Sequence, residues 1–510
     1  MIGLEDATLG GARGRLVLGP VSLTLGGGAH AFVGAAHEGG PALLAAMGAA
    51  ARLRSGRVTC AVSRDRVAYV PAAPLLPPGL TVREVVTLAA RLHEKVGADP
   101  LDRFALGVLA GRRVDSLTHG EAHAIALLTA LSIEPRVLLL EEPLAHLDAR
   151  AAPPIIAALR AHAASGAAVV IATASERDAR ALGADVWSIR GGLCVRRPAA
   201  PFADLTGQGL HRSRRRSAAP LGGAGRRGRD TNRRWSVGGA RRRRAVPRRR
   251  DRVRGRRHRR PHRCPRAHFR ERRQDVIVSR RDVAVAAAIA RSALRFRGLW
   301  GALGWMVVAV LTARGARGEG ADGPVLGVLG PLVVPLVSFG VVSACLFGEG
   351  LGRTVAPFVA LGASRLRALC ILFVVTAGAS ALACALAAAA TVGLARASSD
   401  PAGDLGITAA VAALAGAAYA ATFLGASAFG KRGGGRGVLL AIDFVIGGAG
   451  GLGGAVTVRG HLQNLFGGEA PLALPQGQSS LALLGLIALG CGVALARLSP
   501  PAARVRPRAT

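Results

Sequence analysis

The hydrophobic pattern changes character along the chain. Up to about residue 205, short apolar runs of strand length alternate with longer helical ones, the pattern of an α/β domain. AHAFVG, RVLLL and AVVIATA are bounded by turns or charges and predict short buried strands. PALLAAMGAAARL and EAHAIALLTAL predict helices. Beyond about residue 298 the runs lengthen to bilayer dimensions. Stretches at about 324–347, 368–395, 405–429, 437–456 and 481–497 are long enough, or nearly so, to span a membrane, and a shorter one lies at 298–313. The expectation is an all-α polytopic domain of six transmembrane helices over residues 298–500.

Charge in the loops orients these spans. Arg291, Arg295 and Arg297 precede the first; Arg353, Arg365 and Arg367 lie between the second and third. Lys431, Arg432 and Arg436 separate the fourth and fifth, and Arg504, Arg506 and Arg508 follow the sixth, in a tail of residues 501–510. The intervening loops are mixed or acidic: Arg314, Arg317, Glu319 and Asp322, then Asp400 and Asp404, then Arg459 and Glu469. Positive charge alternates with each crossing, so both termini are expected in the cytoplasm of a bacterial inner-membrane protein. Residues 276–297, with RRDVAVAAAIARSALRFRG, predict an amphipathic interfacial helix; the plain alternative is a solvated helix. In the fifth span, Gly447, Gly450, Gly451 and Gly454 form two overlapping GxxxG spacings that permit close helix approach, although glycine is abundant throughout the chain. Asp443 is the carboxylate placed within a span, near enough to the cytoplasmic end to reach water, and is a functional candidate on that ground.

Composition adds a third segment. The net charge of +37 is mostly local: 27 Arg and no Lys fall between His211 and Asp275, against four acidic residues. The whole chain has two lysines, Lys95 and Lys431, and its bias to Arg, Ala and Gly points to a GC-rich coding sequence. Three readings of residues 206–275 stay open. A flexible basic linker held by anionic membrane lipid is one. A nucleic-acid arm is another, weakened by having Trp235 and Phe269 alone for stacking. The third is a frameshifted coding artefact, because GC-rich alanine codons read out of register give mostly Arg and Pro; the fusion would then be accidental. His258, His262, Cys264 and His268 stand in that tract, where the positive charge disfavours a metal dication. The seven cysteines are scattered without a CxxC, arguing against a disulfide framework or zinc site. The opening MIGLEDATLGG lacks the apolar core of a signal peptide.

Five landmarks within residues 1–205 come in a telling order. VGAAHEGGPALL has the form of a phosphate loop, and AYVPAAPLLPPGLTVREVV follows it. DSLTHGEAHAIALLTAL, RVLLLEEPLAHLDA and VVIATAS come next. In order and spacing they resemble an ABC ATPase: Walker A, Q-loop, signature, Walker B with D-loop, and switch strand. The resemblance implies a P-loop NTPase-like α/β fold binding ATP and Mg²⁺. It places Gly34, Gly39, Gly40, Pro41 and Ala42 in the phosphate loop, and Thr118 and Gly120 in the signature. Glu141 falls at the metal-shell aspartate, Glu142 at the general base, and Asp148 in the D-loop. Much of the family's chemistry is missing. A phosphate loop needs a lysine for the outer phosphates and a hydroxyl for Mg²⁺. Gly40 and Pro41 stand at those positions, and Pro41 also deletes a backbone donor. No aromatic stands near Ala12 to stack adenine; Ala72 replaces the Q-loop glutamine, Ala174 the switch histidine, and Thr118 and His119 the first signature residues. The expectation is a pseudo-ATPase.

Residues 280–500 resemble the ABC type 2 export permeases. A surface helix, six spans, the cytoplasmic loop GEGLGRTVAPFVALGASRLRA and the outer segment RGHLQNLFGGEAPLALPQGQSS carry that resemblance. It implies that Glu349, Arg353 and Thr354 touch the ATPase domain. The order of parts is that of a half-transporter, implying a homodimer or heterodimer with a second half-transporter, or a companion complete ATPase. A membrane scaffold or regulator that transports nothing is the competing expectation, and a soluble nucleic-acid binder is hard to reconcile with six spans.

Overall fold

The structure, a computed structural model, describes residues 1–10, 16–48, 50–51, 53–63, 66–94, 100–104, 106–148, 151–197, 279–296, 298–317, 322–395, 401–448 and 451–498. The arginine-rich tract, Ala12 and the tail 501–510 lie outside them.

The N-terminal part holds two sheets. Strands β1 (Ile2–Gly10), β2 (Leu16–Leu25) and β4 (Ser55–Cys60) form an antiparallel sheet in the order β2-β1-β4. The larger sheet runs β5-β6-β7-β3-β8-β9, with β5 (Val67–Val70), β6 (Val137–Glu141), β7 (Ala168–Thr173), β3 (Gly28–Val33) and β8 (Asp185–Arg190) parallel. Strand β9 (Leu193–Arg196) returns antiparallel beside β8. Every residue of β6 and β7 is buried, as their unbroken apolar runs require of strands paired on both sides. Helix α1 (Gly40–Met47) lies between the sheets, burying Leu43, Leu44 and Met47 with Phe32, Leu139 and Val170 of one sheet and Leu4, Leu18 and Leu25 of the other. On the far face lie α2 (Val82–Leu92), α3 (Pro100–Arg103), α4 (His119–Ser132) and α5 (Ala152–Ala164), with α6 (Glu176–Ala181) after β7. The three strands and two helices expected from the apolar runs are all present. The antiparallel sheet and the β8–β9 hairpin were not anticipated, because their strands are half-exposed and carry no comparable run.

The C-terminal part is helical. Helix α7 (Arg280–Leu294) is followed by α8 (Gly298–Gly315), the short α9 (Asp322–Pro324) leading through a π-helical stretch (Val325–Val333) into α10 (Val334–Cys345), then α11 (Leu351–Ala360), α12 (Arg365–Ala395) and α13 (Pro401–Ala426). After these come α14 (Gly435–Ile446), α15 (Leu452–Ala455), α16 (Val458–Leu465) and α17 (Gln476–Leu498). Pro331 lies inside the π stretch, where its missing N–H cannot serve an α-helical ladder. Among the described residues, five helical segments are long and apolar enough to cross a membrane: 298–315, 322–345, 365–395, 403–426 and 476–498.

Six continuous spans were expected, and the one at 437–456 is broken. Helix α14 has 12 residues, about 18 Å at 1.5 Å per residue, well short of a roughly 30 Å hydrocarbon core. Gly447 caps it, Gly451 caps the next short helix, α15, and Gly454 lies within α15, while Gly450 falls outside the described residues. Asp443 sits at this break, 4% exposed and not in water: Tyr419 Oη donates to its Oδ2 at 2.7 Å and the Arg459 backbone N–H to its Oδ1 at 3.3 Å.

Helix α7 joins the two parts. Ser279 caps its N-terminus, and Ala284, Val285, Ala288, Ile289 and Ser292 form its buried face, spaced as an amphipathic helix requires. That face packs within the protein, beside α2. Arg295 Nη1 and Nη2 grip both Glu84 carboxylate oxygens at 2.7 and 3.2 Å, and Nη1 also donates to the Gly79 carbonyl. Arg281 pairs with Glu94 at 2.8 Å. A second contact sets His93 Nε2 2.9 Å from the Leu361 carbonyl at the end of α11. Glu349, Arg353 and Thr354, expected at this junction, bond inside the helical part: Glu349 with Arg353, Thr354 Oγ1 to the Leu346 and Gly350 carbonyls, and the Glu349 carbonyl with Arg436. Thr354 is buried and Arg353 is exposed, and the helix that follows Gly350 presents its C-terminal end, at Leu361, to the sheet domain.

Burial alone would raise the Glu84 carboxyl, but hydrogen bonds from Arg295 and Thr81 hold it below its ordinary value of 4.5. Its contribution is therefore complete above that value and lost as pH falls through the lower folded one. Arg295→Ala is expected to reduce amide-exchange protection over residues 80–92 roughly fivefold, about 1 kcal/mol for a half-exposed pair. Unchanged protection at pH 7 would contradict the pairing.

Candidate functional site

The C-terminal ends of four adjacent parallel strands, β5, β6, β7 and β3, converge on one line of polar groups, the edge where open α/β sheets bind ligands. From β3 the chain turns through residues 34–39 and enters α1. The Gly34 N–H donates to the Thr173 carbonyl at the end of β7, tying the loop to the sheet. Gly39 adopts φ +107, a left-handed conformation that glycine tolerates, and Pro41 occupies the first turn of α1, where its fixed φ is compatible. Gly39 and Gly40 are buried, Pro41 is half-buried and Ala42 is exposed on the first turn. The fold of the loop thus survives Gly40 and Pro41. Inside it the Glu38 carboxylate accepts the Ala35 N–H at 2.7 Å.

Glu141 closes β6 and is 8% exposed. Its Oε1 accepts the Tyr69 hydroxyl at 2.6 Å, and its Oε2 the Ala72 backbone N–H at 3.1 Å. Burial, then the Glu141 carboxylate, pushes the Tyr69 phenol well above its usual range, so it stays a donor. Glu142 has φ +44, a conformation rare outside glycine and concentrated at functional positions. Its Oε2 accepts from Thr173 Oγ1 and its Oε1 from the Ala174 N–H, both at 3.0 Å. Ala72 and Ala174 are the two residues that the resemblance sets at a glutamine and a histidine position. At both, the backbone amide meets the neighbouring carboxylate.

The other expected residues lie on α4 and the loop before α5. Thr118 caps α4: its Oγ1 accepts the Glu121 N–H at 3.3 Å, and Glu121 returns a carboxylate to the Thr118 N–H at 2.8 Å. Gly120 follows in the first turn, against the His146 carbonyl. Asp148 Oδ1 accepts the Ala151 N–H at 2.7 Å, just before α5. Thr118, Gly120 and Asp148 belong to this second region, apart from the line of Glu141, Glu142 and the loop.

Sequence reasoning missed three residues here. Tyr69 was hidden because nothing local marks it as the partner of a glutamate 72 positions away. Glu38 was not singled out, because its carboxylate folds back onto the Ala35 N–H only once the turn forms. His123 is fully buried on α4, with His119 and His146 beside it at ring-centre distances of 6.4 and 6.1 Å. Among the described residues, no group of three or more His, Cys, Asp or Glu is placed to hold a metal ion.

A parallel sheet with a glycine-bounded loop running from strand β3 to helix α1, and acidic residues at the end of β6, separated from β3 by β7 alone, defines an NTPase-type α/β domain. Curated relatives extend this. The cytochrome c biogenesis ATP-binding export protein CcmA of Sphingopyxis alaskensis is 30% identical over 163 residues, covering 31% of this chain and 82% of the relative. The lipoprotein-releasing system ATP-binding protein LolD of Anaeromyxobacter dehalogenans is 30% identical over 183 residues, covering 30% and 77%. The chain belongs, through its N-terminal part, to the ATP-binding proteins of ABC transporters. A probable anion import ATP-binding protein of Haloferax volcanii is 41% identical over 85 residues, of which the chain spans 30% of the relative's length. Among solved structures, an ATP-binding subunit of an ABC transporter is 21% identical with a TM-score of 0.35, covering 38% of this chain and 88% of that one. No family model matches the chain.

Burial, then the neighbouring His146 and His119, lowers His123 from 6.5 to about 4. The unfolded chain therefore takes up this proton first, and stability present above pH 6.5 declines as pH falls toward 4. His123→Leu is expected to flatten the acid limb of thermal unfolding between pH 6.5 and 5; an unaltered slope would contradict the assignment.

Proposed function

We propose that this chain is a subunit of an ABC-type membrane transporter, an exporter half-transporter whose own cassette is impaired in ATP binding and hydrolysis. One observation carries the reading: every carboxylate at a position of family chemistry is already hydrogen bonded within the chain. Glu141 at the metal-shell position is spent on Tyr69 and Ala72, and Glu142 at the general-base position on Thr173 and Ala174. A general base works when water, metal and nucleotide are already assembled beside it. The residues present do not fit ATP with Mg²⁺: Gly40 carries no ammonium, Pro41 neither hydroxyl nor N–H, and Glu38 adds a negative charge. Losing one charge-assisted contact costs roughly 1.5–3 kcal/mol, and at least two are missing from this loop.

The five long apolar helices support a multi-pass protein of the bacterial inner membrane, with lipid around it; the cytoplasmic placement of both termini that loop charge suggests requires the broken segment at 437–456 to complete a sixth crossing. The bonds of α7 and Leu361 to the cassette support the two parts working as one unit. The relatives' names include both import and export proteins, so export rests on the permease resemblance of the helical part. The partner is a second ABC half-transporter or a complete ABC ATPase that supplies an intact phosphate loop, and nucleic acid has no part in the reading. The satisfied carboxylates equally favour a second reading, a scaffold or regulator that keeps the cassette as an interaction surface.

Co-purification from the native membrane is expected to bring down a cassette with an intact phosphate loop. In that complex Gly120→Ala, whose added side chain would meet the His146 carbonyl, lowers ATP hydrolysis at least tenfold if this chain lends its signature region to the partner's phosphate loop. Unchanged hydrolysis by the variant complex favours the scaffold, and recovery of the chain with no second cassette contradicts the transporter reading.

A further inference from the structure

The phosphate loop carries one substitution that acts by addition. Gly40 and Pro41 remove a cation and a donor, whereas Glu38 brings a carboxylate into the turn. Its Oε2 accepts the Ala35 N–H at 2.7 Å, and it lies 2.9 Å from where a side chain on Gly34 would begin. The Ile189 carbonyl lies closer still to that point, at 2.5 Å, so the loop at Gly34 is packed tightly between strand β8 and the folded-back carboxylate. Glu38 is half-buried, and the turn it belongs to, Ala36–Glu38, leads directly into Gly39 and α1. Among the described residues no arginine, lysine or histidine forms an ion pair with it. An oxyanion entering this loop would meet a carboxylate of its own sign, already holding a loop amide.

We propose that Glu38 is an internal anion that closes the loop to phosphate-bearing ligands, independently of the missing lysine and hydroxyl. A carboxylate accepting a backbone N–H within a strand-to-helix turn takes up donor capacity that a phosphate oxygen would use. Its charge remains after that bond is made. Restoring the lysine and hydroxyl alone therefore leaves the loop defective: the new ammonium pairs with Glu38 a few residues away, and the loop gains no net positive charge.

This rests on the impaired-cassette reading, and the test separates the two. Binding of labelled ATP with Mg²⁺ is measured on the full chain in detergent for the wild type, G40K/P41S, and the same double variant carrying E38Q or E38S. The double variant is expected to bind weakly. Adding E38Q or E38S raises affinity roughly ten- to a hundredfold, the effect of removing one nearby like charge. The gap in affinity between the double variant and its E38Q derivative narrows as salt increases. Thermal unfolding of E38Q alone monitors the loop fold, since an amide oxygen still accepts the Ala35 N–H. A triple variant no better than the double, whether both bind or neither does, overturns the role of Glu38. Micromolar binding by the wild type overturns the impaired-cassette reading itself.

Discussion

A carboxylate held out of water must find hydrogen-bond donors, and at the C-terminal edge of this sheet the donors come from the chain itself. Four parallel strands end side by side there, so the amides just past β5 and β7 face the acidic end of β6. Glu141 and Glu142 settle onto them, aided by the hydroxyls of Tyr69 and Thr173. The buried edge is then stable without nucleotide or metal. The acidic groups at this edge thus have partners within the chain itself.

The two families of helices answer to different constraints. Around the sheet they follow capping and apolar spacing: Thr81 caps α2 and Thr118 caps α4, each with a glutamate three positions on, and Pro41 starts α1. In the helical part the long segments are apolar on nearly all sides, and polar residues gather where one is broken. Asp443 of α14 meets the Tyr419 hydroxyl of α13 and the Arg459 backbone N–H of α16 there. Between the parts, α7 has one face of small apolar residues and an arginine at its end, matching a glutamate on α2.

Much of this was legible in the chain. Buried parallel strands have unbroken apolar runs, so β3, β6 and β7 stood out, and the landmarks between them set the order of the loops. Helix length in the membrane-type part follows from bilayer thickness, which made five segments readable. The end of α14 at Gly447 was not, because glycine interrupts an apolar run no more than alanine does while it readily ends a helix. The pairing of Tyr69 with Glu141 depends on β5 lying next to β6, a fact of topology with no local signal. Likewise, the cassette contact falls on Leu361 and not on Glu349, Arg353 or Thr354, because the direction of α11 decides which end of it meets the sheet domain.

Equilibrium binding of labelled ATP to the purified full-length chain, with and without Mg²⁺, tests the central claim most directly. Saturation is expected to be absent up to roughly millimolar nucleotide, a ceiling of about −4 kcal/mol, with no response to the metal. Saturable, Mg²⁺-dependent binding at micromolar concentration would show that the edge of the sheet still holds nucleotide, and would contradict the account.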